Sequence, residues 1–169
     1  MKKIINILTS PILMNHWVAD LFFAIARFLC GMLLALSFGA DKFGVPWTAD
    51  HRNLDLFEVA AWFPEDVASY GGIFAIAPVF FAWMGAFSEA VGGLFLALGL
   101  QTRLASFLIA CTMLVAIFMQ KWDGGVWGML PAMGFLWIAI YNLYLGSGRF
   151  GLDYLISRRI LKITNLNLN

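Results

Sequence analysis

PVFFAWMGAFSEAVGGLFLALGLQTR, Pro78 to Arg103, decides the fold. A bilayer core takes ~20 apolar residues at ~1.5 Å rise each, and this run supplies them. Near its middle stands a single carboxylate, Glu89. An acid at that depth costs several kcal/mol (about 2.5–3.5 on insertion scales) unless it is paired or protonated. Gly85 and Gly93 lie one turn to either side on the same helical face, with Ala86 and Gly92 beside them. Small residues let a second helix approach, so the face that holds Glu89 is a helix-contact face. A partner for the carboxylate is therefore expected within the bundle.

The rest of the chain fits a membrane reading. Its 169 residues are 62% hydrophobic and 12% charged, with a mean hydropathy of +0.82. Soluble domains are roughly half apolar and a quarter charged. The net charge of +1 and the lack of a basic stripe argue against nucleic-acid binding. Cys30 and Cys111 lie in separate apolar runs with no Cys-x-x-Cys, so both read as packing residues. His16 and His51 stand apart from other ligand types, and no metal site is expected.

Working outward, four spans emerge at about 17–40, 78–100, 104–119 and 126–146, all within one domain, 1–169. The first is too long for a signal-peptide core and contains Arg27. The connection from Asp41 to Ala77 is acidic. Within it, Asn53 to Phe63 places Leu54, Phe57 and Ala61 on one helical face before Pro64, which predicts a short amphipathic helix at the interface. Gly71-Gly72 breaks the chain ahead of the second span. Lys2, Lys3, Arg103, Arg149, Arg158, Arg159 and Lys162 fall on one side of a four-span layout, and Lys42, Arg52 and Lys121 on the other. The positive-inside rule then places both termini in the cytoplasm. The expected fold is an all-α membrane protein, a four-transmembrane-helix antiparallel bundle with a long outer loop.

Counted from the cytoplasmic ends, Arg27 lies about ten residues into span one and Glu89 about eleven into span two, or roughly 15 Å deep for each. Opposite charges at one depth on neighbouring helices are expected to pair, with Gly31 on the Arg27 face and Gly93 on the Glu89 face. Such a pair either fixes which helices touch, or forms the polar head of a ligand pocket with Arg27 binding a carbonyl and Glu89 moving a proton. Asp41 and Lys42 read as snorkelling at the outer surface or lining a pocket mouth, with Trp47 and Trp62 as interface anchors or caps. Arg149 and Asp153 read as an i,i+4 surface pair. No residue is singled out as catalytic.

The motifs Arg27…Gly31…Gly39-x-x-Lys42, Glu89-x-x-x-Gly93…Gly99-x-x-Thr102-Arg103 and Gly146-Ser-Gly148-Arg149-Phe-Gly-Leu152-Asp153 come in order at the first, second and fourth spans. Together they resemble the DoxX-like membrane proteins, over about Arg27 to Asp153. Phe38 departs from the pattern, standing where many relatives carry a polar residue. The long outer loop is similar to the DoxD type, a subunit of a thiosulfate:quinone oxidoreductase. The resemblance implies a bacterial or archaeal cytoplasmic-membrane protein linked to quinone-coupled oxidation, working with a redox partner subunit in a homo- or hetero-oligomer. The sequence carries no flavin, haem or iron–sulfur ligand set, so quinone is the candidate co-substrate and no covalently bound cofactor is expected. The alternatives are a non-catalytic membrane scaffold and, behind it, a small transporter or lipid-binding protein. The acidic outer loop does not favour capture of thiosulfate, a dianion.

Overall fold

The computed structural model describes residues 11–166, with side chains through Arg159 apart from His51. Lys2 and Lys3, part of the orientation argument, lie outside the described residues, as does the side chain of Lys162. Four helices are long and apolar enough to cross a membrane: α1 (Trp17–Gly39), α4 (Pro78–Leu98), α5 (Thr102–Gln120) and α6 (Trp122–Leu145). Between α1 and α4 lie a 3-10 turn at Asp50–Arg52 and two short α-helices, α2 (Trp62–Ser69) and α3 (Gly72–Ile76). The C-terminal α7 (Leu152–Leu166) follows α6. The protein is an all-α membrane bundle, and its spans fall within a few residues of those read from hydropathy.

The outer connection does hold a short helix, but further along the chain than the apolar spacing suggested. Asn53 to Ala61 does not coil. Asn53 and Phe57 adopt positive φ, and Val59 forms an antiparallel bridge with Phe43. α2 begins at Trp62 and carries Pro64 inside its first turn. The N–H groups of a first turn have no intrahelical partner, so proline starts this helix rather than stopping it.

Glycines set how the spans meet. A Cβ on Gly31 would lie 2.6 Å from the backbone N of Ala97, and one on Gly39 would lie 2.4 Å from the backbone of Ala90. The α1 and α4 backbones therefore touch, antiparallel, along Gly31, Ala35 and Gly39. Beyond them Leu34, Leu96, Ile109, Met113, Phe135 and Ala139 form the core shared by the four spans. Gly31→Val drives a branched side chain into backbone that cannot retreat, an overpacking expected to cost about 3 kcal/mol. Gly134→Val, on α6 with nothing near its added Cβ, is the control. Melting in detergent should drop sharply for the first and little for the second.

Because Gly39 meets Ala90, α1 ends opposite the middle of α4. The chain from 40 to 61 then fills the space beside the other half of α4. Phe43 and Val45 are buried against Ala82, Ala86 and Ala90. Irregular backbone beside a span must satisfy its own polar groups, and here it does. Gly44 N–H donates to Glu58 O at 2.8 Å, Phe57 N–H to Gly44 O at 2.7 Å, and Ala60 N–H to Lys42 O at 2.9 Å. Two indoles help: Trp47 donates to Ala35 O at 3.1 Å and Trp83 to Phe57 O at 3.2 Å. The result delivers Lys42, three residues past the end of α1, into the interior.

Candidate functional site

Arg27 and Glu89 do not pair. Both are buried, at 3% and 4% exposure, but they belong to two separate polar sites. Glu89 pairs with Lys42. Arg27 turns to the other end of the bundle, where its guanidinium donates through Nη1 to Ser147 O and through Nη2 to Phe150 O at 3.1 Å.

Around Arg27 the contacts tie chain segments together. Arg149 pairs with Asp20 at 2.8 Å and donates to Met14 O at 2.9 Å. Asp153 accepts from the N–H of Gln101 at 2.8 Å, and from the N–H and hydroxyl of Thr102, each at 2.9 Å. It thereby caps the start of α5 with a negative charge, where the helix dipole favours one. Gln101 holds a left-handed conformation, φ 45°, between these bonds. Arg149 and Asp153 are thus not partners on a helix surface; each reaches a different element. Arg103 donates to Tyr144 O at 3.2 Å. Asp20, which no sequence pattern singled out, is the missing counter-charge for Arg149.

Lys42 and Glu89 stand at the wall of a cavity of about 280 Å³ enclosed by α2, α3, α4 and α5. Phe63, Tyr70, Phe74 and Phe81 supply aromatic walls, and Met84, Leu108 and Val115 add aliphatic ones. Phe74 and Phe81 pack edge to face at 4.9 Å, and Tyr70 continues the row at 5.9 Å from Phe74. The Lys42 ammonium lies 4.9 Å from the centre of the Phe63 ring, a cation–π contact that adds to the support from Glu89. Cys111 and Phe80, also lining residues, are exposed near the middle and the start of their spans. The cavity therefore opens sideways, toward the lipid-facing surface of the bundle.

Polar groups line one side. Thr112 donates its hydroxyl to Leu108 O at 3.1 Å, which leaves Ser88 as the donor in the 2.6 Å contact between Ser88 and Thr112. Farther out, Tyr70 hydroxyl and Gln120 Nε2 both donate to Asp66 Oδ2, at 2.7 and 2.8 Å. Burial, the bond to Asp66 and the charges of Asp66 and Glu89 together push the Tyr70 hydroxyl well above the usual phenol range. Helix α4 widens to π turns over Ser88–Gly92, which includes Glu89. α5 does so over Ala116–Gln120, which includes two lining residues, and α1 over Leu34–Gly39, just before Lys42. Such local widening recurs where helices carry functional side chains.

Of the residues expected to form a pocket, only Lys42 and Glu89 line this cavity. Gly31 and Gly93 are backbone contacts between α1 and α4. Asp41 is exposed and pairs with Arg52 at 2.7 Å, Trp47 caps the end of α1, and Trp62 meets Phe63 at a tilt, with ring centres 5.4 Å apart. None of these three lines the mouth, because the 40–61 segment folds inward and takes Lys42 with it while leaving its neighbour outside. Tyr70, Asp66, Gln120, Ser88 and Thr112 were missed. The i,i+4 spacing of Asp66 and Tyr70 was the one signal available for them.

No curated protein and no solved structure matches the chain. A family model, DoxX, matches residues 39–122, about half of its length. That stretch contains every residue lining the cavity, from Lys42 to Gln120. Arg27 and its acceptors Ser147 and Phe150 fall outside it. The matched region is thus the one that builds the buried Lys42–Glu89 site, and the chain belongs to the DoxX family of multi-pass membrane proteins.

Proposed function

We propose that the chain is a quinone-binding membrane subunit of an oxidoreductase, with the Lys42–Glu89 cavity as its quinone site. The observation that carries this is an aromatic cavity, open to the lipid side, whose wall holds a largely covered ammonium paired with a buried carboxylate. A quinone ring is flat, apolar and edged by two carbonyls, so a fitting site needs aromatic walls and a few donors. Phe63, Phe74 and Phe81 fit the ring. The Lys42 ammonium is a donor suited to a carbonyl oxygen, whereas the Ser88 and Tyr70 hydroxyls already donate to Thr112 and Asp66. A bound quinone supplies two-electron, two-proton carrier chemistry. The chain's own part is to hold the ring and to hold or release a proton at the Glu89 carboxylate, with Lys42 beside it as counter-charge.

On this reading both termini face the cytoplasm and the 40–77 connection faces outward, in a bacterial or archaeal cytoplasmic membrane. A redox partner supplies the electrons, and the acidic residues of the connection disfavour thiosulfate as the donor captured there.

Purification in mild detergent followed by solvent extraction tests the reading. Wild type should carry quinone, identified by chromatography and ultraviolet spectrum. Glu89→Gln removes the counter-charge that holds the Lys42 ammonium at the wall and should lose the quinone, with decylubiquinone affinity lower by about tenfold or more, the size expected when a charge-assisted bond from Lys42 is lost. Wild type without quinone, and a Glu89→Gln protein that simply fails to accumulate, would favour a scaffold in its place.

A further inference from the structure

Glu89 is enclosed on nearly every side. Ala86 and Ala90, on its own helix, pack against Phe43 and Val45. Gly39 seals the α1 side at Ala90, Lys42 occupies the carboxylate, and the Ser88–Thr112 bond closes α4 onto α5. The direction left open is the cavity itself. Its lipid-facing opening, beside Phe80, Phe81, Leu108, Val115 and the Cys111 thiol, offers only a weak acceptor and leads to lipid rather than water. Its other boundary, toward the loop end, is polar: Tyr70 and Gln120 line it, and behind them stands Asp66, half-buried.

We propose that Tyr70, Asp66 and Gln120 form a proton port through which Glu89 exchanges protons with water at the loop end of the bundle. The wiring is suited to it. Tyr70 donates to Asp66 at 2.7 Å, and its oxygen retains lone pairs that can accept from the cavity side. A proton leaving Glu89 passes through cavity water to the Tyr70 oxygen. The hydroxyl proton of Tyr70 moves to Asp66 Oδ2, and Asp66 releases one to outer water, so that no group ends with a net gain. With no quinone bound, the cavity of about 280 Å³ has room for several waters, and Glu89, Lys42, Tyr70 and Gln120 are the polar groups that can hold them along its polar side. Tyr70 stays protonated through the neutral range because its environment opposes ionisation, so it passes protons as a hydroxyl. Gln120, donating to the same oxygen at 2.8 Å, fixes Asp66 in place. The charged and titratable groups around the path are Lys42, Glu89, Asp66 and, on α5, Cys111. The proposal rests on the quinone reading only for its purpose, since a quinone that gains or loses protons in a buried site needs a way to move them. The port itself is independent of which ligand binds.

The experiment is an acid jump on purified full-length protein, with Glu89 protonation followed by rapid-scan infrared spectroscopy and its band identified by its loss in Glu89→Gln. Tyr70→Phe and Asp66→Asn should slow protonation by about tenfold or more without changing its final amplitude, and Asp66→Glu should restore the rate. Cys111→Ala, which lines the cavity off this path, should leave the rate unchanged. Decylubiquinone binding, measured in the same samples, should stay near wild type in Asp66→Asn. Unaltered rates in both Tyr70→Phe and Asp66→Asn overturn the port. Slowed rates in a protein that binds no quinone uphold the port and overturn the ligand reading.

Discussion

Replacing Lys42 and Glu89 together with methionine should leave a bundle that folds about as well as wild type, while replacing either alone should not. Removing one partner of a buried pair strands a charge and typically costs about 3–5 kcal/mol, whereas swapping both for apolar groups of similar volume is often neutral. The surroundings suit the swap. Lys42 already lies against the Phe63 ring, and Glu89 shares its helix with Ala86 and Ala90. Of the singles, Glu89→Met is the more disruptive, since it leaves an ammonium with only the face of Phe63 for support. Thermal unfolding in detergent, followed by tryptophan fluorescence, should place the two singles well below wild type and the double within a few degrees of it. The double variant should nonetheless bind no decylubiquinone. A pair kept only to hold the helices together would leave decylubiquinone binding in the folded double near that of wild type.

Arg27→Gln should produce the opposite profile. The guanidinium donates to two carbonyls, Ser147 O and Phe150 O, in the segment that joins α6 to α7. Hydrogen bonds from a charged donor are worth about 1.5–3 kcal/mol each, and glutamine cannot reach both acceptors with charge. The segment from Gly146 to Gly151 should loosen, and α7 with it, taking Asp153 away from the start of α5. Limited proteolysis should cut near 146–152 in the variant and not in wild type, with a global loss of about 3 kcal/mol or more. Quinone affinity should stay within about twofold of wild type, because no residue around Arg27 lines the cavity. A strong loss of binding with an intact 146–152 segment would return Arg27 to the ligand site.

How the two charges came to be separated also explains what was legible beforehand. The four spans follow from hydropathy, because a run of apolar residues long enough to cross a bilayer has few other stable homes. Depth counted along each span misplaces the two charges because the helices are staggered. Counting from the ends assumes that α1 and α4 begin level, but their alignment is set by where glycines allow backbones to touch. Gly31 meets Ala97 and Gly39 meets Ala90, and a Cβ on Gly99 would lie 2.9 Å from Arg27 Nη2. Arg27 is therefore level with the α4–α5 turn, and Lys42 takes the place beside Glu89. The glycines were visible in the sequence, yet which glycine meets which partner depends on packing across helices far apart in the chain. The 40–61 segment was misread for a related reason. Its acids suggest a solvated loop, and they are indeed exposed, but Phe43 and Val45 between them are the residues that bury it. The port groups were hidden because Tyr70, Asp66 and Gln120 come from two helices that only the fold brings together.

The central claim is that the ligand site lies at Lys42–Glu89 and that Arg27 is architectural. Titration of decylubiquinone into wild type, the Lys42→Met/Glu89→Met double and Arg27→Gln, each shown to be folded, tests it most directly. Saturable binding in wild type and Arg27→Gln with none in the double is the predicted result. Binding that survives in the double and disappears in Arg27→Gln would contradict it.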